Sequence, residues 1–212
     1  VAGVAVIALG RYALIQSAKM ETLNVSFRVL IGNVKLARQT FEDLTNFAAR
    51  TPFRLQGVAM AGKVMLAAGV EAGILTHRLR QLGEMSAASG RPLGEFARIF
   101  AKIKGKNKVQ GEELLQLAEK GVGLSRELAR MFSKGSGSRL ESDYKVSELQ
   151  VFQAVEKGLI THKHFLLALD ELTGKGGLYF GLTAELALTL GGLWSTVADN
   201  TDLAAAAFGD VV

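Results

Sequence analysis

Apolar side chains recur at intervals of three and four residues along most of the chain. This spacing places side chains on one face of an α-helix, and no alternating β-pattern of useful length interrupts it. The chain also holds only 2 Pro among its 212 residues, and proline is the residue that breaks helices most strongly. The sequence therefore predicts an all-α fold.

The apolar segments and the breakers between them predict a compact module of about eight to ten helices, with long first and last helices. A run rich in Gly and Ser separates the two larger helical portions, as a flexible linker would. The predicted parts are an apolar leading helix over 1–35, a helical core module over 36–133, a flexible linker or loop over 134–144, and a C-terminal helical segment over 145–212.

Two details of the predicted helices concern their ends. Thr40 precedes an apolar face and is of a residue type that caps helix starts, so we expect it to cap a helix. The C-terminal portion is predicted to end in one continuous helix over 178–200, of near-heptad spacing that is typical of a coiled coil. Its apolar stripe is a candidate helix–helix seam, made of Leu182, Leu186, Leu190, Leu193 and Val197.

The first eighteen residues are almost entirely apolar, but Arg11 interrupts them. A helix that spans a bilayer needs about 20 residues with few charges. We therefore favour a buried helix over a membrane helix for 1–18. Because the chain begins at Val1 rather than Met, we expect it to be an excerpt of a longer protein.

Charge divides the sequence into two unequal parts. The acidic segment, residues 170–212, carries six acidic residues against one basic residue, whereas the rest of the chain has a formal charge of +10. Such a division suggests two surfaces with different partners. The chain has no Cys, which excludes a disulfide scaffold, a Cys-ligated metal site and a Cys nucleophile.

The basic run, residues 98–108, is the most pointed local feature because it contains no acidic residue. A cluster of this kind is a candidate contact patch for phosphates or for an acidic protein. It carries no interleaved aromatic readers of bases and no recognisable DNA-binding motif, so a solvated face or an acidic protein partner is favoured over nucleic acid. Its members are Arg98, Lys102, Lys104, Lys106 and Lys108.

No pattern in the sequence indicates a catalytic, cofactor-binding or metal site. His162 and His164 are two residues apart and diverge on a helix, whereas zinc-binding histidines on a helix are four apart. Gly174-Lys175-Gly176-Gly177 lacks the spacing of a phosphate-binding loop, and no strand precedes it. We read that segment as a connection between helices.

Six strings, in this order, resemble the helical module of tailed-phage tail tape measure proteins. The resemblance covers about residues 19–200, and it rests on the ordered set rather than on one string. The strings are METLNVSF at 20–27, LTNFAARTPF at 44–53, LRQLG at 79–83, GEELLQLAEKGV at 111–122, GKGGLYF at 174–180 and LGGLWS at 190–195.

This resemblance implies a non-enzymatic structural role in tail length determination, tail assembly and genome ejection. It implies a place in the virion, in the tail lumen or at the tail tip, and in the host cytoplasm during assembly. The implied partners are further copies of the chain about the tail axis, tail tube and tail-tip proteins, and tail assembly chaperones. No cofactor is implied. Because breakers are frequent, we expect a compact unit attached to a ruler rather than the ruler rod itself.

Two other functions stay open at this point. The apolar start suits a membrane-active helical segment that inserts into the host envelope during ejection. The basic run suits a nucleic-acid-binding helical domain. Contact with DNA or with the host membrane during ejection is thus an alternative partner assignment.

Overall fold

The computed structural model describes residues 2–133 and 145–209, and the predicted 134–144 linker lies outside that part. All helices found there are α-helices, which confirms the predicted fold class. Eleven are described: α1 Ala2–Ile31, α2 Val34–Ala49, α3 Leu55–Ala67, α4 Ala72–Ser89, α5 Leu93–Lys106, α6 Gly111–Glu119, α7 Leu124–Ser133, α8 Glu148–Glu156, α9 His162–Thr173, α10 Leu182–Ala187 and α11 Leu190–Gly209.

The first and last helices are the longest, at 30 and 20 residues, as the sequence predicts. They also lie together, because α11 packs mainly along α1. Met20 and Leu23 of α1 share a small cavity with Asp199 and Leu203 of α11. The first and last helices of the described chain therefore pack against each other.

The predicted helix cap at Thr40 is wrong. Gly32, with φ of +69°, ends α1, and Asn33 then caps α2 by accepting a hydrogen bond from the Leu36 N–H at 2.9 Å. Thr40 lies inside α2, where its hydroxyl donates to the Leu36 carbonyl at 2.7 Å. The helix therefore starts earlier than its buried apolar face suggests.

The predicted continuous helix over 178–200 is also wrong. The chain turns at Gly181, with φ of +83°, forms the short α10, and breaks again at Leu188 and Thr189 before α11. At the second break the Thr189 hydroxyl donates to the Leu186 carbonyl at 2.7 Å. Such a local bond offers the backbone an alternative to the helical ladder, which apolar spacing alone does not reveal.

One buried apolar core joins the helices from α1 to the loop after α9. Phe27 of α1, Leu44 of α2 and Leu75 of α4 converge on Gly62 of α3, and all three side chains are fully buried. A Cβ at Gly62 would lie 3.3 Å from both Leu44 Cδ1 and Phe27 Cζ. The absence of a side chain at Gly62 thus allows the close approach of four helices.

At the end of α9 the chain reverses through the glycine-rich connection that the sequence predicts. The Gly174 N–H donates to the Asp170 carbonyl at 2.9 Å, and the Tyr179 N–H donates to the Leu172 carbonyl at 2.9 Å. Gly176 adopts φ of +86°. These bonds satisfy carbonyl groups at the helix end, as C-terminal caps do, so the glycines serve chain reversal.

Gly177 is the glycine of this loop that tolerates a side chain least. A Cβ there would lie 2.5 Å from the Leu172 carbonyl oxygen and would also overlap the Glu171 carbonyl oxygen. We expect Gly177→Ala to lower the free energy of unfolding by about 1–3 kcal/mol, as overpacking does. Urea denaturation measures the change.

Gly94→Ala is the matched control, because no atom of a neighbouring residue lies within 4 Å of a Cβ at this helical position. Alanine is the better helix former, so the control should leave stability unchanged or raise it by up to about 1 kcal/mol. Equal effects of the two substitutions would contradict the assigned role of Gly177.

Candidate functional site

The helix α5 divides the basic run into two faces. Arg98, Lys102 and Lys106 are four residues apart and follow one side of the helix, towards α6. Lys102 pairs with Glu112 at 2.9 Å, and Lys106 pairs with Glu113 at 3.0 Å. The structure therefore does not present the five predicted residues as one continuous patch.

The two ion pairs with α6 engage two lysines of the basic run in the fold itself. Glu113 is fully buried, and its other carboxylate oxygen accepts a hydrogen bond from the Gln110 N–H at 3.0 Å. A buried carboxylate without a cation is strongly unfavourable. The ion pair with Lys106 therefore stabilises Glu113 in the folded state. The hydrogen bond between Lys102 and Glu112 raises the pKa of the lysine and lowers the pKa of the carboxyl.

The other face of the basic run lies against the loop between α8 and α9. Lys108 forms an isolated antiparallel bridge with Thr161, and the Val109 N–H donates to the Ile160 carbonyl at 2.8 Å. The side chain of Lys108 also reaches Gly158, with Cδ and Nζ each 3.9 Å from the position of a Cβ there. This register brings Lys157 and Lys163 beside the end of the basic run.

His162 and His164 lie at the start of α9, next to these lysines. The ring of His162 is buried and meets Phe100 edge-on, with a centroid distance of 5.6 Å. Burial lowers the pKa of His162, and the charges of Lys104 and Arg78 lower it further. Burial and then the charge of Lys163 lower the pKa of His164. Within the described residues, no group of three or more potential ligands is arranged to hold a metal ion.

Within its described residues, the acidic segment does not form a separate acidic surface, contrary to the expectation from charge. Four of its carboxylates pair with arginines from the preceding part of the chain. Asp170 accepts from Arg78 and from Gln81, each at 2.7 Å, and Glu171 accepts from Arg130 at 2.7 Å. The remaining pairs join Arg54 with Asp199, at 3.5 Å, and with Asp202.

Two buried carboxylates also bind helix starts across the same junction. The Leu55 N–H, at the start of α3, donates to Asp199 of α11 at 2.9 Å. In the opposite direction, Glu84 of α4 accepts from the Thr183 N–H at 2.9 Å and from the Thr183 hydroxyl at 2.7 Å. Free N–H groups at a helix start need acceptors, and here the other half of the chain supplies them.

A groove of about 1000 Å³ lies between α2, α4 and the segment from α9 to α10. Its walls include the contacts of Asp170 and Glu84 just described, together with the exposed Arg50, Arg80 and Phe180. Half of its six acidic and arginine side chains join one helix to another.

The candidate helix–helix seam lies on two helices rather than one. Leu182 and Leu186 are on α10, and Leu193 and Val197 are on α11, beyond the break. Leu182 is half-buried against the core, whereas Leu193 and Val197 are each 53% exposed. The side chain of Leu190 lies outside the described part. The exposed members remain a candidate contact surface.

The family model described as tape measure protein matches residues 13–210. The chain belongs to the tape measure protein family. This match confirms the resemblance seen in the ordered strings, and it makes the chain a structural component of phage tails. No curated protein and no solved structure matches the chain. None of the described helices of this tape measure module has the length and apolar content needed to cross a membrane.

Sequence reasoning missed the residues that join the two halves of this tape measure module. Arg54, Arg78 and Glu84 lie far in sequence from their partners, and nothing local marks them. The sequence did show an excess of acidic residues in 170–212. This excess indicates that the segment pairs with basic side chains, but it does not identify which ones.

Burial raises the pKa of the Asp199 carboxyl above its ordinary value of 3.8, although the Leu55 N–H and Arg54 oppose the shift. A raised pKa in the folded state means that ionisation of Asp199 opposes folding. The wild type should therefore lose stability relative to Asp199→Asn as the pH rises from 3.8 through the raised pKa. Chemical denaturation of both proteins at several pH values measures this difference.

Glu95→Gln provides a control of opposite sign. A hydrogen bond from Lys120 lowers the pKa of Glu95, so the wild type should gain stability relative to this variant as the pH rises. A wild-type advantage over Asp199→Asn that grew with pH would show that the ion pair outweighs burial, against our expectation.

Proposed function

We propose that this module takes part in tail length determination, tail assembly and genome ejection. Membership of the tape measure protein family, over residues 13–210, is the observation that carries the proposal. The described helices form a compact unit rather than a rod, so we propose that the module is attached to a longer helical ruler. It acts without catalysis, through shape and contact.

We propose that the module resides in the virion, in the tail lumen or at the tail tip, and in the host cytoplasm during assembly. Its proposed partners are tail tube proteins, tail-tip proteins and tail assembly chaperones. These assignments follow from the tail role of the family.

Copies of the chain are proposed to meet about the tail axis through the exposed part of the candidate seam. Leu186, Leu193 and Val197 are 36%, 53% and 53% exposed. Exposed apolar side chains of this kind are typical of protein contact surfaces when they cluster.

Deletion of the module tests the proposed tail role directly. An in-frame deletion of residues 13–210 within the full-length gene should change the tail length distribution or abolish tail formation. Electron microscopy of purified particles measures the lengths, and plaque counts measure infectivity. Tails of normal number, length and infectivity would contradict the proposal.

Charge placed in the candidate seam tests self-association separately. We expect Leu193→Glu combined with Val197→Glu to shift the chain towards the monomer, because two buried carboxylates in an apolar contact are unfavourable. Sedimentation velocity at several protein concentrations measures the association.

Leu149→Glu is the control, because Leu149 of α8 is 68% exposed and lies outside the seam. It should leave association unchanged. A wild type that is monomeric at all concentrations, or equal effects of the seam and control variants, would count against the seam.

A further inference from the structure

Four lysines from two separate stretches of the sequence gather at the loop between α8 and α9. Lys104 and Lys108 come from the end of the basic run, and Lys157 and Lys163 flank the loop. The bridge between Lys108 and Thr161 and the contact of Lys108 with Gly158 fix this arrangement. We call these four residues the lysine patch.

The ammonium groups of the lysine patch are not engaged by ion pairs within the described residues. Lys102 and Lys106 are ion-paired with α6, but in the described part of the chain no ion pair engages a member of the patch. Lys108, Lys157 and Lys163 are exposed, and Lys104 is half-buried. Glu156 is adjacent to the patch in sequence and leaves it with an excess of three positive charges.

The two histidines beside the lysine patch lie close enough to its lysines for the lysine charges to lower their pKa values. The charge of Lys104 contributes to the lowered pKa of His162, and the charge of Lys163 contributes to that of His164, in each case after burial. Both rings are therefore biased towards the neutral form. The positive charge of this surface comes from the lysine side chains.

We infer that the lysine patch is a contact surface for the phosphate backbone of double-stranded DNA, without preference for sequence. Lysines placed on a surface neutralise phosphates and release counterions, which is sufficient for sequence-independent binding. This inference goes beyond the proposed tail role and does not depend on it.

The surroundings of the lysine patch favour DNA over an acidic protein. Protein interfaces have an apolar centre with aromatic anchors. Here Phe100 and Phe165 are buried, and Phe132, which meets the His164 ring, is half-buried against the core. Leu159, 60% exposed, is the large apolar side chain that the loop offers to solvent. A surface of lysines around one leucine lacks such a centre, whereas phosphate contacts need none.

Fluorescence anisotropy with two 30-base-pair duplexes of unrelated sequence tests the inference on the 212-residue chain. We expect both duplexes to bind equally. With four phosphates neutralised, the affinity should fall roughly 100-fold between 50 and 200 mM salt, since each contact contributes about 0.9 to the salt slope.

The test variant replaces Lys104, Lys108, Lys157 and Lys163 with Gln, and the control replaces the exposed Lys19, Lys35, Lys145 and Lys175 with Gln. Both variants lose four charges, so they have equal net charge. The test variant should lose most of its DNA affinity and reduce the salt slope by roughly 3.6, whereas the control keeps the wild-type slope. Replacing the same four patch residues with Arg should restore binding.

Circular dichroism and thermal unfolding establish that the variants are folded; the Lys108 bridge uses backbone groups, which the substitutions retain. Absence of DNA binding by the wild type at 50 mM salt would overturn the inference. So would equal losses in the test and control variants, which would show diffuse attraction. Tighter patch-dependent binding to poly-L-glutamate than to DNA would assign the surface to an acidic protein instead.

Discussion

Carboxylates from one half of the chain bind helix starts and arginines of the other half, and the architecture depends on this exchange. The helix α3 has no side-chain cap of its own, and Asp199 of α11 accepts its Leu55 N–H instead. Glu84 does the same at α10 through Thr183. Buried polar groups must be satisfied, so these bonds fix where the C-terminal helices lie on the apolar core.

The ion pairs within the chain determine which charged side chains remain free to contact partners. Arg54, Arg78 and Arg130 neutralise four carboxylates of the acidic segment, so the acidic residues do not form a separate docking surface. The lysine patch, by contrast, takes part in no ion pair within the described residues, and Leu193 and Val197 remain exposed. We therefore propose the lysine patch and the exposed part of the candidate seam as the contact surfaces of this tail module.

Local signals in the sequence were sufficient for the fold class and for many helix ends. Gly90, with φ of +66°, ends α4, and Pro92 occupies the N-cap of α5; glycine and proline are residue types that mark helix boundaries in a sequence. The break at Thr189 was missed because a hydroxyl bond to the Leu186 carbonyl does not alter apolar spacing. The resemblance to tape measure proteins supplied the family, which helix patterns alone do not identify.

The candidate sites were harder to predict because they depend on tertiary contacts. The basic run was visible, but its division into two faces depends on Glu112 and Glu113 meeting Lys102 and Lys106. Lys163 joins the lysine patch through the pairing of Lys108 with Thr161. Contacts between residues far apart in sequence leave no mark in local composition, so one sequence could not reveal them.

Residues 2–133 and 145–209 form one folded unit with a shared core and reciprocal carboxylate contacts. Cleavage at a protease site inserted within 134–144 tests it most directly. After cleavage, size-exclusion chromatography with light scattering should show both fragments in one particle close to the intact 22.6 kDa, and unfolding should stay a single cooperative transition. Separation of the fragments under native conditions would contradict the account.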